Sequence, residues 1–255
     1  MLKNIPVEYI IKLRQICNII TIKAGNKLKK EQKGDKMLKY LFENIRVDEQ
    51  PKCTGKQIVI QICTSFIIGT LLGIIAKYSD TVTSNGSMGV FFHPISIITT
   101  RLGMWVFLAT IIAAWSKSPK IAAVRVFTLF IGVLLAYYIY SQVLFGFFPT
   151  YYFLRWGGIA VFSPLLAYMM WFSRGKGPFA VFCASLPIGL LLEQGYPLFF
   201  HVFSVGLLFD ILTAIILLII LPKQKVQCLK IAALGILIAF IFRNSHILSY
   251  FFGGL

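Results

Sequence analysis

Long apolar runs separated by short polar and basic connections set the pattern of this chain. The clearest run lies within 101–120, where no side chain from Leu102 to Trp115 is ionisable. At about 1.5 Å per residue the stretch 99–118 covers the roughly 30 Å of a bilayer core. Trp105 and Trp115 stand near its two ends, where amphipathic rings favour the headgroup level. The same grammar returns at 155–176. Read this way, the chain carries spans at about 58–76, 99–115, 124–147, 153–172, 179–192, 202–221 and 229–242, the last running on toward 252. The fifth and seventh are short. The expected fold class is all-α, a polytopic membrane helix bundle of about seven transmembrane helices, with a range of six to eight. Residues 77–100, with Asp80, Gly86 and Pro94, read as a loop holding a short interfacial piece at 90–92.

Two regions follow from the pattern: a basic tail at 1–57 and a transmembrane domain at 58–255. The tail holds amphipathic patterns at Tyr9, Ile10, Leu13, Ile16, Cys17 and Ile20, and at Leu38, Leu41, Phe42 and Ile45. Arg46 falls on the basic side of the second. Such helices either lie on anionic lipid headgroups or pack on one another and on loops. Residues 27–36 between them read as solvated linker. In the first span Gly69-x-x-x-Gly73 offers another helix a close approach.

Composition agrees with this class. The 255 residues are 58% hydrophobic and 13% charged, against roughly 25% charged in soluble domains. The net charge of +16 does not point to nucleic acid, because the bases sit between apolar runs and not on a soluble face. With the tail in the cytoplasm, 21 of the 25 Lys and Arg residues fall on the cytoplasmic side. Only Lys77, Arg101, Arg155 and Arg243 remain outside. The expectation is a multi-pass plasma membrane protein with its N-terminus in the cytoplasm and its C-terminus outside. The five cysteines form no CxxC pair, none falls in an outer loop, and no signal peptide is expected at the start.

Two segments echo one another. Arg101-Leu-Gly103 and Arg155-Trp-Gly157 open their spans. Trp115-Ser116-Lys117 and Trp171-Phe-Ser173-Arg174 close them, and Pro119 and Pro178 follow. A parallel repeat of two-helix units explains this. So does the general demand of an inward-running helix for an aromatic and a base at its inner end.

Several of these residues carry a resemblance. They include Gly69 and Gly73, Asp80, Leu102-Gly103-Met104-Trp105-Val106, Trp115-Ser116-Lys117-Ser118, Tyr137-Tyr138, Trp156, Pro164, Ser173-Arg174-Gly175-Lys176-Gly177, Pro187 and Glu193. Over about 58–222 the chain resembles a family of small bacterial multi-pass membrane proteins classed as a domain of unknown function. The resemblance implies a helical membrane fold and no particular activity, and the basic tail is extra to it.

Charges in or beside spans are costly and are the first places to seek chemistry. Asp210 lies eight residues into the sixth span, roughly 12 Å from its outer end. It reads either as a site for a cation, proton or substrate amine, or as one half of a structural pair with Arg101 or Arg155. Glu193 ends the fifth span at the level of Arg101, Arg155 and Arg243. These residues read as an anionic-solute site or as snorkelling residues that set helix depth. The candidate substrate-binding set is Asp210, Glu193, Arg155 and Arg101. His93 and His201 have no carboxylate or Cys at ligand spacing, so no metal and no cofactor is expected. There is no HExxH, GxSxG or phosphate-cradling glycine loop. Ser163 before Pro164 reads as packing, although an intramembrane hydrolase stays open. Two functions from different classes remain. One is a permease-like or solute-binding protein with an outward-facing polar pocket for a small solute. The other is a non-transporting sensor or assembly partner acting through its basic tail.

Overall fold

Inside hydrocarbon a backbone must satisfy its own N–H and C=O groups, and an apolar run does so by coiling into a helix. The computed structural model describes residues 46, 54–82, 86–146, 148–200 and 203–245, with eight α-helices and no strand among them. They are α1 Gly55–Val82, α2 Gly86–Thr100, α3 Leu102–Ala114, α4 Pro119–Phe145, α5 Thr150–Trp171, α6 Pro178–Gly195, α7 Val205–Ile220 and α8 Lys225–Ser245. Short 3-10 turns at Phe172–Arg174 and Tyr196–Phe200 extend α5 and α6. The chain divides into the units Met1–Glu43 and Asn44–Leu255, and every described residue belongs to the second. The tail patterns at 9–20 and 38–45, with Cys17, Cys53, His201 and the extension at 247–252, lie outside the described residues.

The fold is the all-α membrane bundle expected from the pattern. Among the described residues five helices are long and apolar enough to cross a membrane, and α2 with α3 makes a sixth if counted as one bent span. The helix at the expected sixth span, α7, is shorter, with sixteen residues, about 24 Å. Boundaries follow local chemistry. Ser118 caps α4 by accepting a hydrogen bond from the Ile121 N–H, and Pro119 takes the first helical position. Gly146, in the left-handed conformation at φ 68°, closes the same helix. Pro178 starts α6.

Two elements differ from the sequence reading. Lys77 and Asp80, expected in a loop, lie in the last turns of α1, and 86–100 is helical. Several polar side chains there find partners on their own helix or on its neighbour. The Ser79 hydroxyl donates to Ile75 O at 2.7 Å and the Thr81 hydroxyl to Lys77 O at 2.8 Å. Asp80 accepts from Ser96 on α2. The span expected at 99–115 breaks at Arg101, whose backbone is extended, and the axes on either side differ by 70°. The Thr99 carbonyl beside the break accepts a hydrogen bond from the Trp105 indole at 2.9 Å.

Packing divides into two clusters that meet at α3. In the first, α1 lies closely on α4, as Gly69-x-x-x-Gly73 led one to expect. A Cβ on Gly69 would run into the Leu129 carbonyl, and one on Gly132 of α4 would come 2.6 Å from the Phe66 carbonyl. Small residues there let two backbones touch. Trp105, Ala113, Phe130, Tyr138, Ala160 and Trp171 fill the space between α3, α4 and α5. In the second cluster α6 is central. Leu191, Leu217 and Ile231 are buried on α6, α7 and α8. α7 and α8 both pack on α6 but barely on each other.

Candidate functional site

The break between α2 and α3 puts Arg101 inside the bundle. Its Nε and Nη2 each stand 2.7 Å from Asp210 Oδ2 on α7, and Nη2 also donates to the Gln194 carbonyl of α6 at 2.8 Å. The Asp210 side chain is 0% exposed and that of Arg101 26%. Arg101 is thus the partner of Asp210, and Arg155 is not. The other carboxylate oxygen, Oδ1, has no hydrogen-bond partner among the described residues and lies against Gly103 in the first turn of α3. The positive end of the α3 dipole faces it there. Glycine is required on both sides of this pair. A Cβ on Gly103 would collide with Asp210 Oδ1, and one on Gly206 would collide with Arg101 Cδ. The pair ties the broken helix to α6 and α7. Asp210 lines neither of the two cavities described next.

The first cavity, about 350 Å³, lies among the C-terminal ends of α1 and α4, the start of α5 and the α2–α3 junction. Its charged lining is Lys77, Asp80 and Arg155, and its apolar walls include Trp105, Tyr138 and Trp156. Asp80 accepts 2.6 Å from Tyr137 and 2.9 Å from Ser96. Lys77 Nζ stands 4.9 Å from the ring centres of both Tyr137 and Phe145, and makes no ion pair or hydrogen bond among the described residues. Such cation–π contacts hold the ammonium in place without neutralising it. Arg155 lies over the Tyr151 ring at 4.1 Å and donates to its hydroxyl. Ser141, 1% exposed, lines the cavity with a hydroxyl that has no partner among the described residues. The site therefore offers two cations, one anchored acid, aromatic faces and a buried hydroxyl around one cavity.

The second cavity, about 580 Å³, is bounded by α6, α7 and α8, with Glu193 and Arg243 among otherwise mostly apolar residues. Glu193 feels the charges of Arg243, Arg101 and Asp210. The four sequence candidates thus fall in three places. Arg101 joins Asp210, Arg155 belongs to the first cavity, and Glu193 belongs to the second.

At the opposite end of α3 a further group appears that the sequence reading placed on a polar tail face. Arg46 Nη1 donates to the carbonyls of Ala114 and Trp171 at 2.8 Å each, and its guanidinium lies 4.1 Å from the Trp171 ring centre. It satisfies carbonyls left free at the ends of α3 and α5, where a cation also suits the helix dipoles. The two echoing turns meet here. Trp171 Nε1 donates to the Ser116 carbonyl at 2.8 Å, and Arg174 lies over the Trp115 ring at 4.3 Å. Sequence signals for the missed residues were weak. Lys77 and Asp80 are three apart at the end of an apolar run, and Tyr137 sits one turn from Ser141, but nothing local says that they face one another.

Comparison with known protein families, with curated proteins and with solved structures found no match.

Proposed function

We propose that this integral membrane protein is a permease-like or solute-binding protein that takes a small organic anion with an apolar body into the cavity of Lys77, Asp80 and Arg155. The observation that carries the reading is the pairing of two cations with a single anchored acid inside aromatic walls. Lys77 has rings and no carboxylate as its contacts among the described residues. A carboxylate entering the cavity would meet the Arg155 fork and the Lys77 ammonium, while Trp156 and Tyr138 would cover the solute's apolar part. The free Ser141 hydroxyl supplies a further polar contact. The resemblance over 58–222 brings no activity with it, so the proposal rests on the cavity. Glu193 and Asp210 are not part of this site.

The test uses purified protein in mild detergent. Phenylacetate and indole-3-acetate should raise its melting temperature, and phenylacetate should change its tryptophan fluorescence, since Trp105 and Trp156 line the cavity. Their neutral amides should do much less. Equal effects of acid and amide would defeat the reading. The basic balance further supports a plasma membrane orientation with the N-terminus in the cytoplasm and the tail against anionic headgroups. A cysteine at Lys223 that is labelled from outside intact cells would overturn that orientation.

Arg46 favours a second reading, in which the tail reports on the bundle. It links the tail to the ends of α3 and α5. Under this reading Arg46→Gln would alter the protease sensitivity of the tail and leave anion binding intact.

A further inference from the structure

The groove between α7 and α8 has the shape and charge of a lipid site, and it stands independently of the anion cavity. α7 and α8 separate because both pack on α6, which leaves Ile188 and Leu192 as a floor. Leu218, Ala232, Ile236 and Phe240 wall the groove, and Ile236 and Phe240 are exposed on its rim. From Ala232 to Arg243 the groove follows eleven steps of helix, about 16 Å, or half of a bilayer core. That is the depth of one acyl chain in one leaflet.

The polar end is specific. Arg243 stacks 4.0 Å from the Tyr196 ring centre, which fixes the guanidinium plane. Glu193 stands on the last turn of α6 and lines the same groove. Although the two charges interact, they form no ion pair within 4 Å, and Glu193 accepts no hydrogen bond among the described residues. An acid and a base that flank a groove without closing on each other complement a zwitterion. A guanidinium fork suits a phosphate, and a carboxylate suits a group with N–H donors. At the edge of the hydrocarbon both contacts gain from the lowered dielectric.

We propose that this groove binds a phosphoethanolamine phospholipid, with its phosphate on Arg243, its primary ammonium on Glu193 and one acyl chain along α8. A phosphocholine head keeps the phosphate contact but has no N–H to give Glu193. A phosphoglycerol head has no cation at all. The selectivity is therefore placed on Glu193, and general phospholipid retention on Arg243 and the groove.

Native mass spectrometry of the full chain in mild detergent tests this, with phosphatidylethanolamine, phosphatidylcholine and phosphatidylglycerol of identical acyl chains. The wild-type protein should retain phosphatidylethanolamine about tenfold more tightly than the other two, the scale of one charge-assisted hydrogen bond. Glu193→Gln should bring it down to the phosphatidylcholine level and weaken phosphatidylcholine much less. Arg243→Gln should weaken all three, and Ala239→Trp, which fills the groove, should displace them. Equal retention of the three lipids by the wild-type protein overturns the proposal, as does an ethanolamine preference that survives Glu193→Gln. Glu193→Gln preserves side-chain shape, so the test holds even if the tryptophan variant aggregates.

Discussion

The half of the bundle built on α1, α4 and α5 and the half built on α6, α7 and α8 both keep charge near the same end of α3, and they keep it differently. In the second half Asp210 is fully enclosed, and a guanidinium saturates one of its oxygens. In the first half Lys77 rests on aromatic rings and Asp80 on hydroxyls, and both line an open volume. The difference teaches that residue type does not separate a strut from a site. A charge whose partner is an opposite charge and whose surroundings are filled is consumed by the fold. A charge held by aromatic rings, as Lys77 is, keeps most of its field for something else.

The sharpest way to break this contrast is to remove the strut. Asp210→Leu leaves Arg101 without its anion, and loss of one partner of a buried pair costs about 3–5 kcal/mol. The protein should show a larger fall in melting temperature than any of the single changes below produces, read by thermal unfolding in detergent. Arg101→Met combined with Asp210→Leu should recover most of that loss, because an apolar pair of similar volume needs no desolvation. If the double variant is no better than the single one, the pair does more than hold helices together.

Crowding the strut comes next. Gly103→Ala would put a methyl group into Asp210 Oδ1, and Gly206→Ala would put one into Arg101 Cδ. Overpacking of this kind costs about 1–3 kcal/mol. Gly157→Ala, where a Cβ meets nothing within 4 Å, is the control and should leave the melting temperature unchanged.

Changes in the first cavity should sort the other way. Arg155→Gln or Lys77→Gln should weaken anion binding about tenfold, or about 1.4 kcal/mol, with little change in melting temperature. A stability loss as large as that of Asp210→Leu, with binding preserved, would make the first cavity a second strut. The smallest effect on binding should come from Tyr137→Phe, which removes one hydrogen bond to Asp80 and no charge from the cavity. Asp80 keeps Ser96, so binding should shift less than with Arg155→Gln.

Much of this was readable in the chain. The apolar runs fixed the helical class, because an apolar segment of that length has few other ways to satisfy its backbone. Gly69 and Gly73 announced a close helix contact, and α4 supplies it. Asp210 was readable as a residue in need of a partner, since its depth along the run is set by counting. That Arg101 and not Arg155 answers it could not be counted. Both residues sit at the start of a span with a glycine two positions on, and only the 70° break at Arg101 turns one of them inward. Lys77 and Asp80 were hidden for the opposite reason. Their polarity reads as a loop, and it took Tyr137 and Ser96 from other helices to keep them in one.

The membrane class, the helical architecture, the positions of most helices and the need for a counter-charge at Asp210 are written in the amino-acid order. These depend on hydropathy, length and spacing, which are properties of neighbours along the chain. The tertiary structure alone decided which arginine meets Asp210, which charges face a cavity, and that Arg46 closes the ends of α3 and α5. Those depend on helix bends and on which helices adjoin. Bends and neighbours follow from packing among residues tens of positions apart, and no local pattern records them.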